Sequence, residues 1–337
     1  MSRIAIIGAG AWGTALSVVL GRGGRHELKL WAYEQEVRDS IQSRQVNPTF
    51  LPGQQLPDCV HATMDLTEAA RGADIVVSAV PSQHCRRIFQ QIAPHIQSGA
   101  LVVSATKGLE EKTLLRMTEV ISSVATGNPA STRVGALSGP TFAAEVARGD
   151  PTAITIASKD ADLAATVQLE FSDPAFRVYT NDDVIGVELG GALKNIIAIA
   201  AGVCHGLGLG HNSIAALITR GLAEISRLAV ACGGRAETLS GLAGLGDLVL
   251  TCTGALSRNR SVGVELGRGR KLQEITARMH GMVAEGIFST SAAEQLAKLH
   301  GVEMPITEQM HAVLNEGKPP HDAIQALMTR TSKRETA

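Results

Sequence analysis

Short aliphatic and β-branched runs alternate with amphipathic stretches through the first half of the chain. The runs predict strands at residues 4–7, 28–31, 75–79, 101–104, 133–137, 153–156 and 176–179. Between them, stretches such as 82–96 and 112–124 have the apolar spacing of helices. Because strand–helix alternation is typical of doubly wound folds, we expect a mostly parallel sheet and leave the direction of its last two strands open.

The pattern changes after about Asn181. From Val184 onward no run predicts a strand, and long apolar segments at 185–204 and 214–232 predict helices. Residues 180–183 have the composition of a turn or a helix cap between the two patterns. We therefore expect an α/β Rossmann-type doubly wound domain over residues 1–181, followed by an all-α substrate domain over residues 182–331.

Composition narrows the class of protein. The chain of 337 residues has a net charge of −1 and 3% aromatic residues, which argues against nucleic-acid binding. Its five cysteines form no C-x-x-C pair, so they predict reduced thiols in a cytoplasmic protein. A strand begins almost at the first residue, and Lys194 interrupts the longest apolar stretch, so we expect neither a signal sequence nor a membrane span.

The first predicted strand leads directly into Gly8-Ala9-Gly10-Ala11-Trp12-Gly13. In this G-x-G-x-x-G order the first glycine makes a tight turn, the second lets a pyrophosphate approach, and the third packs the next helix on the strand. The position between a strand and a helix favours dinucleotide binding over a turn without a ligand.

The end of the second strand leaves the choice of dinucleotide open. NAD-specific domains usually place an acidic side chain there, whereas an arginine accommodates the 2′-phosphate of NADP. This sequence has Tyr33 followed by Glu34. Two roles stay open for Tyr33, which are stacking on adenine and covering the edge of the sheet.

Lys194 is an unexpected charge in an apolar segment. It and Glu188 are the formal charges between residues 184 and 219, and they are too far apart in sequence to pair on one helix face. A buried ammonium needs a partner from elsewhere in the fold, and burial lowers its pKa. Lys194 therefore either extends to the surface or serves as a proton donor and acceptor between the domains.

Three further segments carry candidate chemistry, each with a plainer alternative. Lys107 follows the strand at 101–104, where ligands bind in such sheets, or is a solvated loop charge. Asp247 follows a glycine-rich turn and is also a candidate helix cap. Ser257, Arg258 and Asn259 form either a phosphate-binding set or an exposed loop.

Together these segments resemble the bacterial-type NAD(P)-dependent glycerol-3-phosphate dehydrogenases. The matching segments cover nearly the whole chain in family order: 8–13, 47–53, 105–110, 137–143, 188–195, 244–247 with Thr251, 257–260 and 283–286. The resemblance implies reversible reduction of dihydroxyacetone phosphate to sn-glycerol 3-phosphate, which feeds glycerophospholipid synthesis. It also implies a C-terminal domain like that of 6-phosphogluconate dehydrogenase.

The resemblance also assigns site residues. It makes Lys194 catalytic and implies no metal. The implied substrate residues are Lys107, Gly139, Thr141, Lys194, Asp247, Ser257, Arg258 and Asn259. With the glycines of the turn, the expected cofactor residues are Gly8, Gly10, Ala11, Trp12, Gly13, Tyr33, Lys107, Ala143, Arg258, Val283 and Glu285.

Several alternatives stay open at this point. The expected cofactor is NADPH or NADH, and the resemblance favours NADPH although Tyr33 replaces the basic side chain of many relatives. Two alternative functions remain: a β-hydroxyacid or ketopantoate-type reductase, which acts on a carboxylate, and a nucleotide sensor without turnover. A homodimer is also expected.

Overall fold

The computed structural model describes residues 1–125, 133–279, 283–332 and 334–335. Its strands all lie in the first 181 residues of the described chain. They are β1 (Ser2–Ile7), β2 (His26–Trp31), β3 (Val46–Asn47), β4 (Leu51–Gln55), β5 (Val60–Thr63), β6 (Ile75–Ser78), β7 (Leu101–Ser104), β8 (Arg133–Ser138), β9 (Thr152–Ala157) and β10 (Phe176–Asn181).

Eight strands form one sheet in the order β10-β9-β8-β7-β6-β1-β2-β5, and β3 pairs with β4 in a separate hairpin. Neighbouring strands in the large sheet are parallel except β8 and β9, so β9 and β10 run against the other six. The predicted doubly wound sheet is therefore confirmed, and its last two strands are reversed. The intervening helices are α1 (Ala11–Gly21), α2 (Gln35–Arg44), α3 (Leu66–Ala70), α4 (Ser82–Ile92), α5 (Met117–Val124), α6 (Ala143–Arg148) and α7 (Ala161–Phe171).

The sequence pattern missed β5 and the β3–β4 hairpin because these strands contain no run of consecutive aliphatic or β-branched residues. The helix predicted from residue 112 begins only at Met117. The residues between β7 and α5 form a loop, and an isolated bridge between Leu109 and Arg116 closes its second part. Lys107 lies in the first part of this loop.

The second part of the described chain is helical. Its helices are α8 (Val184–Gly206), α9 (His211–Ala231), α10 (Ala236–Leu239), α11 (Asp247–Thr253), α12 (Arg258–Gly267), α13 (Leu272–Ala277), α14 (Glu285–His300), α15 (Pro305–Asn315) and α16 (Pro320–Met328). Asp183 caps α8 by accepting a hydrogen bond from the Gly186 N–H, as the turn composition predicted. The predicted domain boundary falls between β10 and α8 and stays a prediction.

Helix α8 is the central element of the helical region. It is long and apolar enough to span a membrane, but 89% of its apolar window is buried inside the protein, as in a core helix. The helices α9, α11, α12 and α14 pack around it. A charged side chain on α8 therefore requires a partner from a neighbouring element.

Helices α8 and α12 cross at close range through glycines on both helices: Gly202, Gly206, Gly263 and Gly267. A Cβ added at Gly263 would lie 1.9 Å from the carbonyl oxygen of Ile199, and one at Gly202 would lie 2.0 Å from that of Arg260. The crossing fixes the start of α12, which carries the predicted phosphate-binding set, relative to α8.

We expect Gly263→Ala to destabilise the protein by about 3 kcal/mol, because the added methyl group meets a rigid backbone carbonyl. For a helical region of this size the unfolding midpoint should fall by about 6–12 °C in thermal denaturation. The matched control is Gly210→Ala, whose Cβ would have nothing within 4 Å. Equal midpoints for the two variants would show that the crossing tolerates a side chain.

Candidate active site

The glycine turn after β1 has three different constraints. Gly8 has φ +117°, and a Cβ there would lie 2.8 Å from the Ala79 carbonyl oxygen. A Cβ at Gly13 would lie 1.9 Å from the Gly8 carbonyl oxygen, whereas one at Gly10 would meet nothing within 4 Å. Gly8 and Gly13 thus make the turn and the helix contact, and Gly10 leaves open space beside the backbone.

That open space lies at the N-terminus of α1, which begins at Ala11. Gly10 is its N-cap residue, so no side chain satisfies the first N–H groups, and the first turn carries no acidic residue. The indole N–H of Trp12 is buried and has no hydrogen-bond partner among the described residues. Free N–H groups at a helix N-terminus attract anions, so this turn fits a dinucleotide pyrophosphate.

Asn47 supports the turn, a role that the sequence did not predict. Its side-chain amide donates to the Ala9 carbonyl oxygen and to Thr14 Oγ1, both at 2.8 Å. The backbone N–H of Phe50 donates back to Asn47 Oδ1. The matching segment at 47–53 gave a signal, but the partner residues lie too far away in sequence to be inferred from spacing.

Lys194 does not extend to the surface; it is 6% exposed on α8. Its ammonium donates to Asp247 Oδ1 and, at 2.8 Å, to Thr251 Oγ1. Both partners lie on α11 one turn apart, and Asp247 is 1% exposed. The sequence pattern gave no role to Thr251, because a contact between α8 and α11 leaves no local pattern.

Lys107 reaches the same carboxylate from the sheet. Its ammonium donates to Asp247 Oδ2 at 2.6 Å and to the Gly139 carbonyl oxygen at 3.2 Å. Thr141 Oγ1 also donates to Gly139. Two ammonium groups thus share the Asp247 carboxylate, which bonds them both instead of serving only as a helix cap.

The pKa of Lys194 is lowered to about 7, mainly because burial disfavours its charged form. The Asp247 carboxylate opposes this shift, and the neighbouring Lys107 ammonium adds to it. A lysine with a pKa near neutrality can both give and accept a proton under physiological conditions.

The three residues of the predicted phosphate-binding set lie together at the start of α12 but have different hydrogen-bonding roles. Ser257 caps the helix by accepting from the Arg260 N–H. Asn259 donates to Asn195 Oδ1 and accepts from the Gly286 N–H, so it ties α8, α12 and α14 together. This network includes Asn195, for which the sequence pattern indicated no role.

Arg258 differs from its neighbours. Its guanidinium has neither a hydrogen bond nor an ion pair within the described residues. Solvent reaches the side chain, yet the surrounding protein desolvates it enough to lower its pKa. An unpaired guanidinium that is partly desolvated by the surrounding protein is a strong anion-binding group.

The remaining predicted cofactor residues lie in separate places. Glu285 begins α14 and accepts hydrogen bonds from Ser82 N and from Ser82 Oγ at the start of α4; burial raises its pKa to about 7. Val283 is half-buried just before it. Ala143 begins α6, and Tyr33 is an exposed ring after β2.

The Glu188 carboxylate links α8 to the N-terminal region. Glu188 accepts from Arg116 at 2.6 Å and from Thr118 N and Oγ1, so it caps α5. Both charged side chains are largely enclosed, with 6% of Glu188 and 15% of Arg116 exposed. This contact anchors the end of the loop that carries Lys107 to the helix that carries Lys194.

We expect Glu188→Ala to cost about 3 kcal/mol of stability, because it removes the enclosed carboxylate that bonds Arg116 and both the N–H and the hydroxyl of Thr118. The control is Glu119→Ala, which removes the exposed partner of the same arginine and should cost less than about 1 kcal/mol. Thermal unfolding of the two variants measures the difference. Similar small losses for both would mean that the buried pair contributes little.

The chemistry-bearing residues meet at one edge of the sheet. Gly8, Lys107 and Gly139 follow the carboxyl ends of β1, β7 and β8, and Lys107 joins that edge to Asp247 of the helical region. Ligands of doubly wound sheets bind at this edge. A dinucleotide-type turn at the sheet edge that also carries the Lys107–Asp247–Lys194 cluster is typical of a nicotinamide-dependent dehydrogenase.

Comparison with known proteins gives the family. The N-terminus and C-terminus models of NAD-dependent glycerol-3-phosphate dehydrogenase match residues 3–164 and 183–325. The chain therefore belongs to the NAD-dependent glycerol-3-phosphate dehydrogenase family.

Individual relatives agree with this family. Proteins named glycerol-3-phosphate dehydrogenase [NAD(P)+] from Koribacter versatilis and Acidobacterium capsulatum are 67% and 56% identical, and each alignment covers 99% of this chain and 99% or 100% of the relative. The crystal structure of glycerol-3-phosphate dehydrogenase from Coxiella burnetii has a TM-score of 0.92 and 42% identity, covering 98% of this chain and 99% of that one.

Proposed function

We propose that this protein catalyses the reversible reduction of dihydroxyacetone phosphate to sn-glycerol 3-phosphate with NADH or NADPH. The observation that carries the proposal is the hydrogen-bonded cluster of Lys194, Asp247 and Lys107 at the carboxyl edge of the sheet. The family membership gives the substrate, and the cluster supplies the proton chemistry that a ketone reduction requires.

Arg258 binds the substrate phosphate in this proposal. Its support is the unpaired guanidinium at the start of α12, a helix whose position relative to α8 is fixed by the glycine crossing. Ser257 lies beside it, and Asn259 keeps the helix start in place through Asn195 and Gly286. Binding at the remote phosphate orients the ketone carbonyl toward Lys194.

Lys194 donates its Nζ proton to the carbonyl oxygen as negative charge develops there, and it accepts that proton in the oxidation direction. The turn of Gly8, Gly10 and Gly13 would hold the dinucleotide, which would supply the hydride for reduction and take it up in oxidation. The Lys107 ammonium places a second positive charge beside the developing alkoxide. This charge lowers the free-energy barrier of the reduction further. Asp247 holds both ammonium groups in position through its two carboxylate oxygens.

The test is an absorbance assay of NADH and NADPH oxidation with three substrates. We expect turnover with dihydroxyacetone phosphate, much less with dihydroxyacetone, and none with ketopantoate. Turnover with ketopantoate but not with dihydroxyacetone phosphate would replace the proposal by the carboxylate-reductase alternative. Nucleotide binding without turnover of any ketone would favour a sensor.

The homodimer and the cytoplasmic location belong to the same proposal. Exposed apolar side chains on the helical region, such as Val249 and Leu256, support a dimer, and five free cysteines support a reducing compartment. Sedimentation equilibrium tests the dimer by asking whether the mass is twice the 35.3 kDa of one chain.

A further inference from the structure

The end of β2 lies directly beside the glycine turn. The Gly8 N–H donates to the Trp31 carbonyl oxygen at 3.2 Å, and β1 and β2 pair in parallel up to Ile7 and Trp31. The residues after Trp31 therefore emerge at the same edge as the turn. In doubly wound dinucleotide domains, side chains at this position meet the 2′-position of the adenosine ribose.

The two side chains at this position form an aromatic and acidic surface. Tyr33 is 68% exposed, and its ring makes an edge contact with Trp31 at 6.2 Å between centroids. Glu34 follows as the N-cap residue of α2, but its carboxylate caps nothing. It forms no hydrogen bond or ion pair in the part of the chain that the structure describes. Glu36 adds a second exposed carboxylate in the first turn.

The positively charged side chains of β2 and α2 lie close to other groups of the protein. Arg38 Nε lies 2.7 Å from Asp39 Oδ1, and Lys29 pairs with Glu68. Arg44 lies at the far end of α2 and donates to Ser40 Oγ. On these two elements, Lys29 and Arg44 are bonded to other groups, and Arg38 lies against the neighbouring Asp39 carboxylate, which offsets its charge.

From this arrangement we infer that the protein prefers NADH to NADPH, with Glu34 as the residue that disfavours the 2′-phosphate. The inference rests on the proposed function, because it concerns the cofactor of that reaction. The ribose 2′-hydroxyl of NADH is neutral and can donate to a carboxylate, whereas the 2′-phosphate of NADPH adds up to two negative charges beside Glu34. This preference is opposite to the one that the family resemblance favours.

Calorimetric titration of NADH and NADPH into the full-length protein without substrate tests the inference. We expect Kd for NADPH to exceed that for NADH by about tenfold at low salt, the size of repulsion between a divalent phosphate and one carboxylate about 6 Å away in water. The ratio should shrink as salt screens the repulsion. Glu34→Gln should bring it close to one, and Tyr33→Arg with Glu34→Gln should reverse it.

The matched control is Glu27→Gln, which removes an exposed carboxylate from the opposite end of β2 and should leave the ratio unchanged. Equal or tighter binding of NADPH by the unaltered protein overturns the inference and leaves the reaction standing. An unchanged ratio in Glu34→Gln overturns the role of Glu34. Failure of both nucleotides to bind contradicts the proposed function itself.

Discussion

Lys194→Met is expected to lower kcat by about 10³–10⁴-fold, because the substitution removes the group that donates the proton to the carbonyl oxygen. Methionine occupies a similar volume among the buried side chains of α8, and Asp247 keeps its bond to Lys107. The fold should therefore persist. Steady-state kinetics with dihydroxyacetone phosphate measures the loss, and calorimetry should give a Kd for NADH within about twofold of the unaltered value.

Lys298→Met is the control for this prediction, since its side chain is exposed on α14. It should leave kcat unchanged. A Lys194 variant with near-normal kcat would refute the assigned proton transfer. Loss of NADH binding together with kcat would mean that the substitution acts on the nucleotide site or on folding.

Arg258→Ala is expected to lower kcat/KM for dihydroxyacetone phosphate by about 10²–10³-fold, mainly through KM, because it removes an unpaired guanidinium that binds the phosphate. Comparing the loss of activity with phosphorylated and unphosphorylated substrates shows whether Arg258 acts on the phosphate. Activity with unphosphorylated dihydroxyacetone, low in both proteins, should change little, because that substrate has no group for Arg258 to bind.

The matched control is Arg268→Ala at the opposite end of α12, where the side chain is exposed and bonded to Glu265. The KM of this variant for dihydroxyacetone phosphate should equal that of the unaltered protein. An equal loss of activity with both ketones in Arg258→Ala would indicate a general distortion. An unchanged KM for the phosphorylated ketone would exclude Arg258 as the phosphate-binding residue.

The sequence predicted those parts of the fold whose causes are local. The β-branched runs marked most of the strands, and the order of Gly8, Gly10 and Gly13 marked a turn in which the structure shows the tight geometry at Gly8 and the close helix contact at Gly13. The rarity of charge around Lys194 indicated that it needs a distant partner. Burial of α8 and the bond to Asp247 confirm that reasoning.

The rest of the site depends on contacts between elements distant in sequence. Thr251 and Asn195 join the network because α11 and α12 pack on α8, and no spacing along the chain shows this packing. The partner of Glu188 is Arg116 on a loop of the sheet region. Asn259, expected to contact phosphate, has its side chain engaged with α8 and α14, and the structure alone could reveal those bonds.

The pH dependence of kcat/KM in both directions tests the role of Lys194 most directly. Reduction needs the protonated lysine, so its kcat/KM should fall as pH rises through about 7, the lowered pKa of Lys194 in the free enzyme. Oxidation needs the neutral lysine, so its kcat/KM should rise over the same interval. The second pKa of a phosphate monoester is near 6, so ionisation of the substrate does not explain a fall in kcat/KM above about pH 7. Profiles that lack this opposed pair of breaks, or that bend in the same direction, would contradict proton transfer by Lys194.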